Sequence, residues 1–301
     1  MKVPRRFQLG VATHTGVVRS TNEDDYFLLA PPNGQPCLLL AAVADGMGGV
    51  TGGAEASRSG LRGFASGLLA AKPGDLDAAV RRAFDTACRR VHEQARAVPA
   101  LRDMGTTLTA LAFGPDAAVL GHICDSRAFR LRGNRLEQLT TDHASREQQN
   151  RLLRVIGGGQ SAEVPDLEVL ELQPGDRFLL CSDGVWTTVP DARIIDLLQR
   201  QEAQAAAERL VQAAISAGGP DNATAVVVYL GAAAGDAEAI DMNLPSEESS
   251  RAAELSRQAR SGQRQRLPWI LLLGLAAVLG ALVLLQRLGI YDAWDWLRSR
   301  L

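Results

Sequence analysis

Apolar, strand-like runs in this chain repeatedly abut an aspartate. Residues 37–44 read CLLLAAVA and stop at Asp45-Gly46, and five glycines fall between positions 46 and 53. RFLLCS ends at Asp183-Gly184, and AAVLGHIC leads into Asp125-Ser126-Arg127. ATAVVVYL, 223–230, is preceded by Asp221-Asn222, and RSTNEDDY near the start adds Glu23, Asp24 and Asp25. A single Asp-Gly reads as a turn. Carboxylates at the ends of several buried strands need more than that, because each is costly to desolvate alone and several together repel one another. A divalent cation removes both problems, and an all-oxygen donor set selects Mg²⁺ or Mn²⁺ over zinc or copper. Glycine after the acid frees a backbone carbonyl to turn and lets a bulky substrate come close.

The rest of the pattern predicts a layered α+β domain. Apolar runs at Leu108–Phe113 and Ala117–Ile123 add strands, and FRLRGNRLEQL reads as a hairpin turning at Gly133-Asn134. In 75–98, Leu76, Val80, Phe84, Ala87 and Val91 share one helical face behind a candidate N-cap, Asp75. Segments 53–70 and 191–216 are also expected to be helical. Clustered strands interrupted by helix pairs favour a sandwich over a doubly wound parallel sheet. A net charge of −2 argues against nucleic acid as a partner. The scattered Cys37, Cys88, Cys124 and Cys181 read as buried thiols, not as a disulfide frame or zinc site.

Two hard cations sharing a carboxylate are the working centre of many phosphoester hydrolases, where they acidify a bridging water and neutralise phosphoryl charge. Such a centre needs a guanidinium to grip the phosphate. Arg19, four residues before Glu23, is the natural candidate; Arg127 is the rival, equally placed to brace the sheet. The absence of GxxxxGK[ST] and GxSxG argues against a P-loop machine and a serine nucleophile, leaving attack by hydroxide as the better reading.

The C-terminal part differs in kind. LPWILLLGLAAVLGALVLL, 267–285, carries no charge. As a helix it would be about 28 Å long, against a hydrocarbon core of about 30 Å, and it is expected to span a membrane. Arg251, Arg257, Arg260, Arg264 and Arg266 precede it and Arg287, Arg298 and Arg300 follow, which places the N-terminal side in the cytoplasm. The first residues, MKVPRRFQLGVATHTG, lack the apolar core of a signal peptide. Tyr291, Trp294 and Trp296 suit the interface in a short tail, 286–301. Residues 231–266, poor in large apolar side chains, read as a flexible cytoplasmic linker whose basic half would lie against anionic lipid. The folded domain is therefore expected within 1–230.

The motifs GVVRSTNEDDY, VADGMGG, MGTTL, CDSRAFRL, LTTDH, LLCSDGVW and GGPDNATAVVV occur in that order over about 12–230. In this the chain resembles the type 2C (PPM-class) metal-dependent protein serine/threonine phosphatases, in their bacterial form. The resemblance implies a four-layer α-β-β-α sandwich, two antiparallel sheets flanked by helices, with a two-ion Mn²⁺ or Mg²⁺ centre at one end. It implies that Asp45 bridges both ions, with the Gly46 carbonyl on one of them. Asp183 and Asp221 would complete the other, and Glu23 and Asp24 would hold ion-bound waters or ligate directly. Arg19 would bind the substrate phosphate, and Asp125, with Asp183, would take a third ion. Residues 144–166 would form a flap hinged on glycines. Met47 stands where many eukaryotic members have a histidine, Cys124 where a glycine is usual, and His14 near a usual aspartate. The expected activity is hydrolysis of phosphoserine and phosphothreonine in proteins at the inner membrane, opposing a bacterial Ser/Thr kinase. The alternative is a membrane-tethered phosphoprotein-binding scaffold.

Overall fold

The structure, a computed structural model, describes residues 2–3, 7–31, 37–72, 74–145, 151–152, 154–158, 164–231 and 240–241. The expected span 267–285, the tail 286–301 and nearly all of the linker lie outside the described residues. Among the described residues no helix is long and apolar enough to cross a membrane.

In chain order the elements are β1 (Lys2–Val3), β2 (Phe7–His14), β3 (Asp24–Leu29), β4 (Leu39–Met47), α1 (Gly49–Leu69), α2 (Leu76–Ala97), β5 (Gly105–Thr106), β6 (Leu108–Phe113), β7 (Ala117–Ile123), β8 (Arg127–Arg132) and β9 (Arg135–Gln138). There follow β10 (Ala144–Ser145), β11 (Arg151–Leu152), β12 (Ile156–Gly157), β13 (Asp166–Glu171), β14 (Arg177–Cys181), α3 (Asp183–Trp186), α4 (Asp191–Arg200), α5 (Ala203–Ser216), β15 (Ala223–Leu230) and β16 (Ile240–Asp241). One sheet runs β12-β5-β4-β6-β7-β13, with β3 on the other side of β4; the second runs β2-β15-β14-β8-β9. Their pairings are antiparallel. Short β16 pairs with β1, so the expected linker contributes one two-residue strand.

The sheets face each other across a dry core that includes Phe7, Leu39, Val43, Leu111, Phe113, Phe178, Leu180, Val226 and Val228. Phe7, Phe113 and Phe178 meet edge to face at 5.4 Å. α4 and α5 cover the outer face of the second sheet through Ile194, Leu198, Ala206 and Leu210 against Leu179, Cys181 and Val227. α1 and α2 pack against each other and on the first sheet. There Gly63 lets the two helices close on Ala87, and Gly121 of β7 leaves room for the Phe84 ring. Asp75 caps α2 by accepting from Ala78 N at 3.1 Å. This is the expected α-β-β-α sandwich. The segment 191–216, expected as one helical stretch, is two helices, because Gln201 and Glu202 take extended backbone between them and each helix then lays its own apolar face on the sheet.

Alternation along a strand positions the site. In β4, Leu39, Ala41 and Val43 point into the inter-sheet core, so Asp45, two residues on, points the same way at the end of the sandwich. Asp24 stands directly opposite it across the β3–β4 pair. In β14, Phe178 and Leu180 face the core, and Ser182 continues that face.

Candidate metal centre

At this end of the sandwich lies a cleft of about 490 Å³ lined by Arg19, Glu23, Asp45, Gly46, Met47, Thr107, Asp125, Asp183, Asp221 and Asn222, among others. Seven of the eight candidate residues are therefore gathered in it. The eighth, Asp24, lies behind the cleft, buried, with Oδ2 accepting from the Ser182 hydroxyl at 2.6 Å. The first sheet supplies Asp45, while Asp183 follows β14 and Asp221 precedes β15 of the second, so neither sheet alone makes the site.

Asp45 is fixed through its backbone. Its N–H donates to Thr107 Oγ1 at 2.8 Å, and its carbonyl accepts from Thr107 N at 2.9 Å and Thr106 Oγ1 at 3.0 Å. Thr107 and Ser126 hydroxyls share a 2.7 Å bond, which ties Asp45 to the neighbour of Asp125. Asn222 acts as a clamp: its Nδ2 donates to Thr15 O and Thr21 O, while its Oδ1 accepts from Glu23 N. Gly16, at φ +85°, closes against Asp221 O. These bonds pin the Arg19–Glu23 stretch to the start of β15. Sequence reasoning overlooked Thr107, Ser182 and Asn222 as positioning residues, although MGTTL, LLCSDGVW and GGPDNATAVVV contain them.

The two glycines after aspartate each lie against a second backbone segment. A Cβ on Gly46 would lie 2.0 Å from Gly53 O, and one on Gly184 would lie 2.0 Å from Asn222 O. Each is required by a neighbouring backbone, and neither has positive φ.

The carboxyls are held in electrostatic tension. Asp45 is pushed well above the ordinary carboxylate range, first by burial and then by Asp24, Asp183, Asp125 and Asp221. Burial, with Asp183 and Asp221 nearby, raises Asp24 to about 7. Asp183 rises to about 6 through burial and the charges of Asp125 and Asp221. Burial also raises Glu23 and Asp125. Among the described residues no three acidic, His or Cys side chains close on one point as a finished cage. Asp24 Oδ1 and Asp183 Oδ1 are buried without a hydrogen-bond partner. Orphaned carboxylate oxygens among mutually repelling acids are what a hard divalent cation would satisfy, so the donor set fits Mn²⁺ or Mg²⁺.

The choice between the two arginines is decided by their contacts. Arg127 pairs bidentately with Asp142 at 2.7 and 3.0 Å and stacks 3.4 Å over Trp186; it braces the sheet. Arg19 lies at the cleft, half exposed, with one nitrogen on Asp221 at 2.7 Å. His14 accepts from Gly16 N at 2.9 Å and acts structurally. Of the expected flap, β10 pairs β11, and β12 pairs β5 beside Gly46; 146–150, 153 and 159–163 lie outside the described residues.

The family model for protein phosphatase 2C matches residues 16–217. This chain belongs to the protein phosphatase 2C family. The serine/threonine protein phosphatase PstP of Mycobacterium tuberculosis is 34% identical over 280 residues, covering 81% of this chain and 51% of PstP. The chain thus spans about half the length of that relative. The serine/threonine phosphatase stp of Listeria welshimeri is 31% identical over 240 residues, 72% of this chain and 93% of that protein. A solved catalytic domain of PstP in complex with two manganese ions superposes with a TM-score of 0.66 at 34% identity, covering 75% of this chain and 98% of that one.

Proposed function

We propose that this protein hydrolyses phosphoserine and phosphothreonine esters in proteins, using two Mn²⁺ or Mg²⁺ ions and a third near Asp125. One observation carries the reading: carboxyls from both sheets line a single cleft with a guanidinium among them. Membership of the phosphatase family and the manganese pair in PstP support it.

Asp45, in the middle of the acidic group, would be shared by two ions, with Asp183 and Asp221 completing one and Gly46 O serving the other. Glu23, Asp24 and Asp125 would hold the outer positions. Such ions, when bound, supply hydroxide near neutral pH and offset the charge on the phosphoryl oxygens. Arg19 uses one nitrogen on Asp221, and its remaining donors can take phosphate oxygens. The Asp221 contact aims the guanidinium into the cleft. Met47 cannot donate a proton, and no histidine is among the described residues lining the cleft, so the departing alkoxide would take its proton from water or from another group.

We also propose that 267–285 anchors the protein in the inner membrane with 1–230 in the cytoplasm, joined by 231–266. The uncharged run and its arginine flanks support this. A membrane-associated bacterial Ser/Thr kinase as its opponent follows from the family alone. The test is Mn²⁺-dependent phosphate release from a phosphothreonine peptide by the full-length protein. Peptide binding without phosphate release would replace the enzyme with the scaffold.

A further inference from the structure

Cys124 is buried, and at φ +92° it is the one non-glycine residue at positive φ among the described residues. Its Cβ crowds the following carbonyl in that region, where glycine would sit without strain. His143 grips both backbone groups of this residue. Its N–H donates to Cys124 O at 2.7 Å, and its ring Nδ1 accepts from Cys124 N at 3.0 Å. With Nδ1 accepting, the neutral ring carries its proton on Nε2, which lies 2.8 Å from Asp166 Oδ2 and 3.0 Å from Arg154 Nη1. Arg154 donates to the other oxygen of Asp166, also at 2.8 Å. The His122 ring packs 4.8 Å from that of His143. The imidazole therefore cannot turn without breaking contacts on two sides. The residue after Cys124 is Asp125, whose carboxyl lines the cleft and whose carbonyl takes the Trp186 Nε1 proton at 3.1 Å.

We propose that His143, outside the cleft, is a positioning residue for Asp125. It holds Cys124 in the left-handed turn and so aims the Asp125 carboxyl at the ion cluster, and Asp166 fixes the ring that does the holding. This rests on the reading of Asp125 as an outer ligand of a Mn²⁺ or Mg²⁺ centre.

The experiment is calorimetric Mn²⁺ titration of the full-length protein in detergent, with phosphopeptide KM at saturating Mn²⁺ as a second readout. His143→Ala is expected to weaken the weakest Mn²⁺ site by about 10- to 100-fold, leaving the tighter sites and KM unchanged. His143→Asn, whose amide oxygen can replace Nδ1 as acceptor, should stay close to wild type. The double variant Cys124→Gly/His143→Ala should regain most of the loss, since glycine holds positive φ unaided. Unchanged Mn²⁺ binding in His143→Ala, or a double variant no better than it, overturns the proposal. If His143→Ala does not fold, a double variant that folds and binds Mn²⁺ supports the proposal, and one that also fails overturns it. Wild-type protein that binds no Mn²⁺ would instead sink the metal reading itself.

Discussion

Asp45-Gly46 lies inside a strand, with β4 running on through Met47, whereas Asp183-Gly184 opens the short helix α3 directly after β14. The surroundings of the two acids differ as well. Asp45 faces Asp24 across a strand pair and carries the repulsion of four acids. Asp183 is raised only to about 6. Yet each following glycine lies against a backbone oxygen that a Cβ would approach to 2.0 Å. One dipeptide thus serves two backbone geometries. What the two steps share is the need for a second chain segment to come within reach of the acid, which brings Gly53 and Asn222 to the metal end.

The comparison breaks or sharpens under substitution. Asp45→Asn should abolish Mn²⁺-dependent hydrolysis while leaving the fold intact, because Asp45 is placed to serve both ions. Asp183→Asn should leave residual turnover that recovers as Mn²⁺ is raised. Equal and unrescuable losses in phosphate-release assays would erase the distinction. Arg19→Ala removes a charged hydrogen-bond donor from the phosphate and should cost kcat/KM about 10- to 100-fold, with Mn²⁺ affinity retained; a parallel fall in metal binding would move Arg19 to the ion site. Gly46→Ala and Gly184→Ala should each destabilise the domain by about 1–3 kcal/mol through overpacking, measured as lower thermal midpoints. If either is neutral, the backbone-contact account of that step is wrong.

The smallest effect is one of pH. Asp24 and Asp183 have folded-state values of about 7 and about 6, above those of an unfolded carboxylate, so the folded protein holds their protons more tightly. Without ions, the stability they contribute is full in acid below the unfolded carboxylate value and is lost as pH rises through 6 and then 7. In EDTA the thermal midpoint should therefore be higher at pH 5 than at pH 8, and Mn²⁺ should cancel or reverse the difference. A midpoint in EDTA that rises with pH would contradict the repulsion described at Asp24 and Asp183.

What was legible in the sequence divides along the same physical lines. β6, β7, β14 and β15 have the expected bounds because their runs are nearly wholly buried. The hairpin of β8 and β9 turns at Gly133-Asn134 as its residues require. Among the strands of six or more residues, three stand outside the apolar runs. β2 carries Gln8, Gly10 and Thr13 among its apolar residues, β3 begins in the acids that read as ligands, and β13 is an edge strand with most side chains exposed. The acids of the cleft could be named from the residues and the family pattern together. The Cys124–His143 clamp, the Asn222 clamp and the contacts of Gly46 and Gly184 could not, because each depends on segments distant in sequence meeting in space.

The central claim is that acids from both sheets share one cluster of hard ions. Anomalous diffraction from crystals of residues 1–230 grown with Mn²⁺ tests it directly. The account predicts at least two manganese peaks in the cleft, one of them touching both Asp45 and Asp183. Manganese bound elsewhere, or a cleft with no anomalous peak at saturating Mn²⁺, would contradict it.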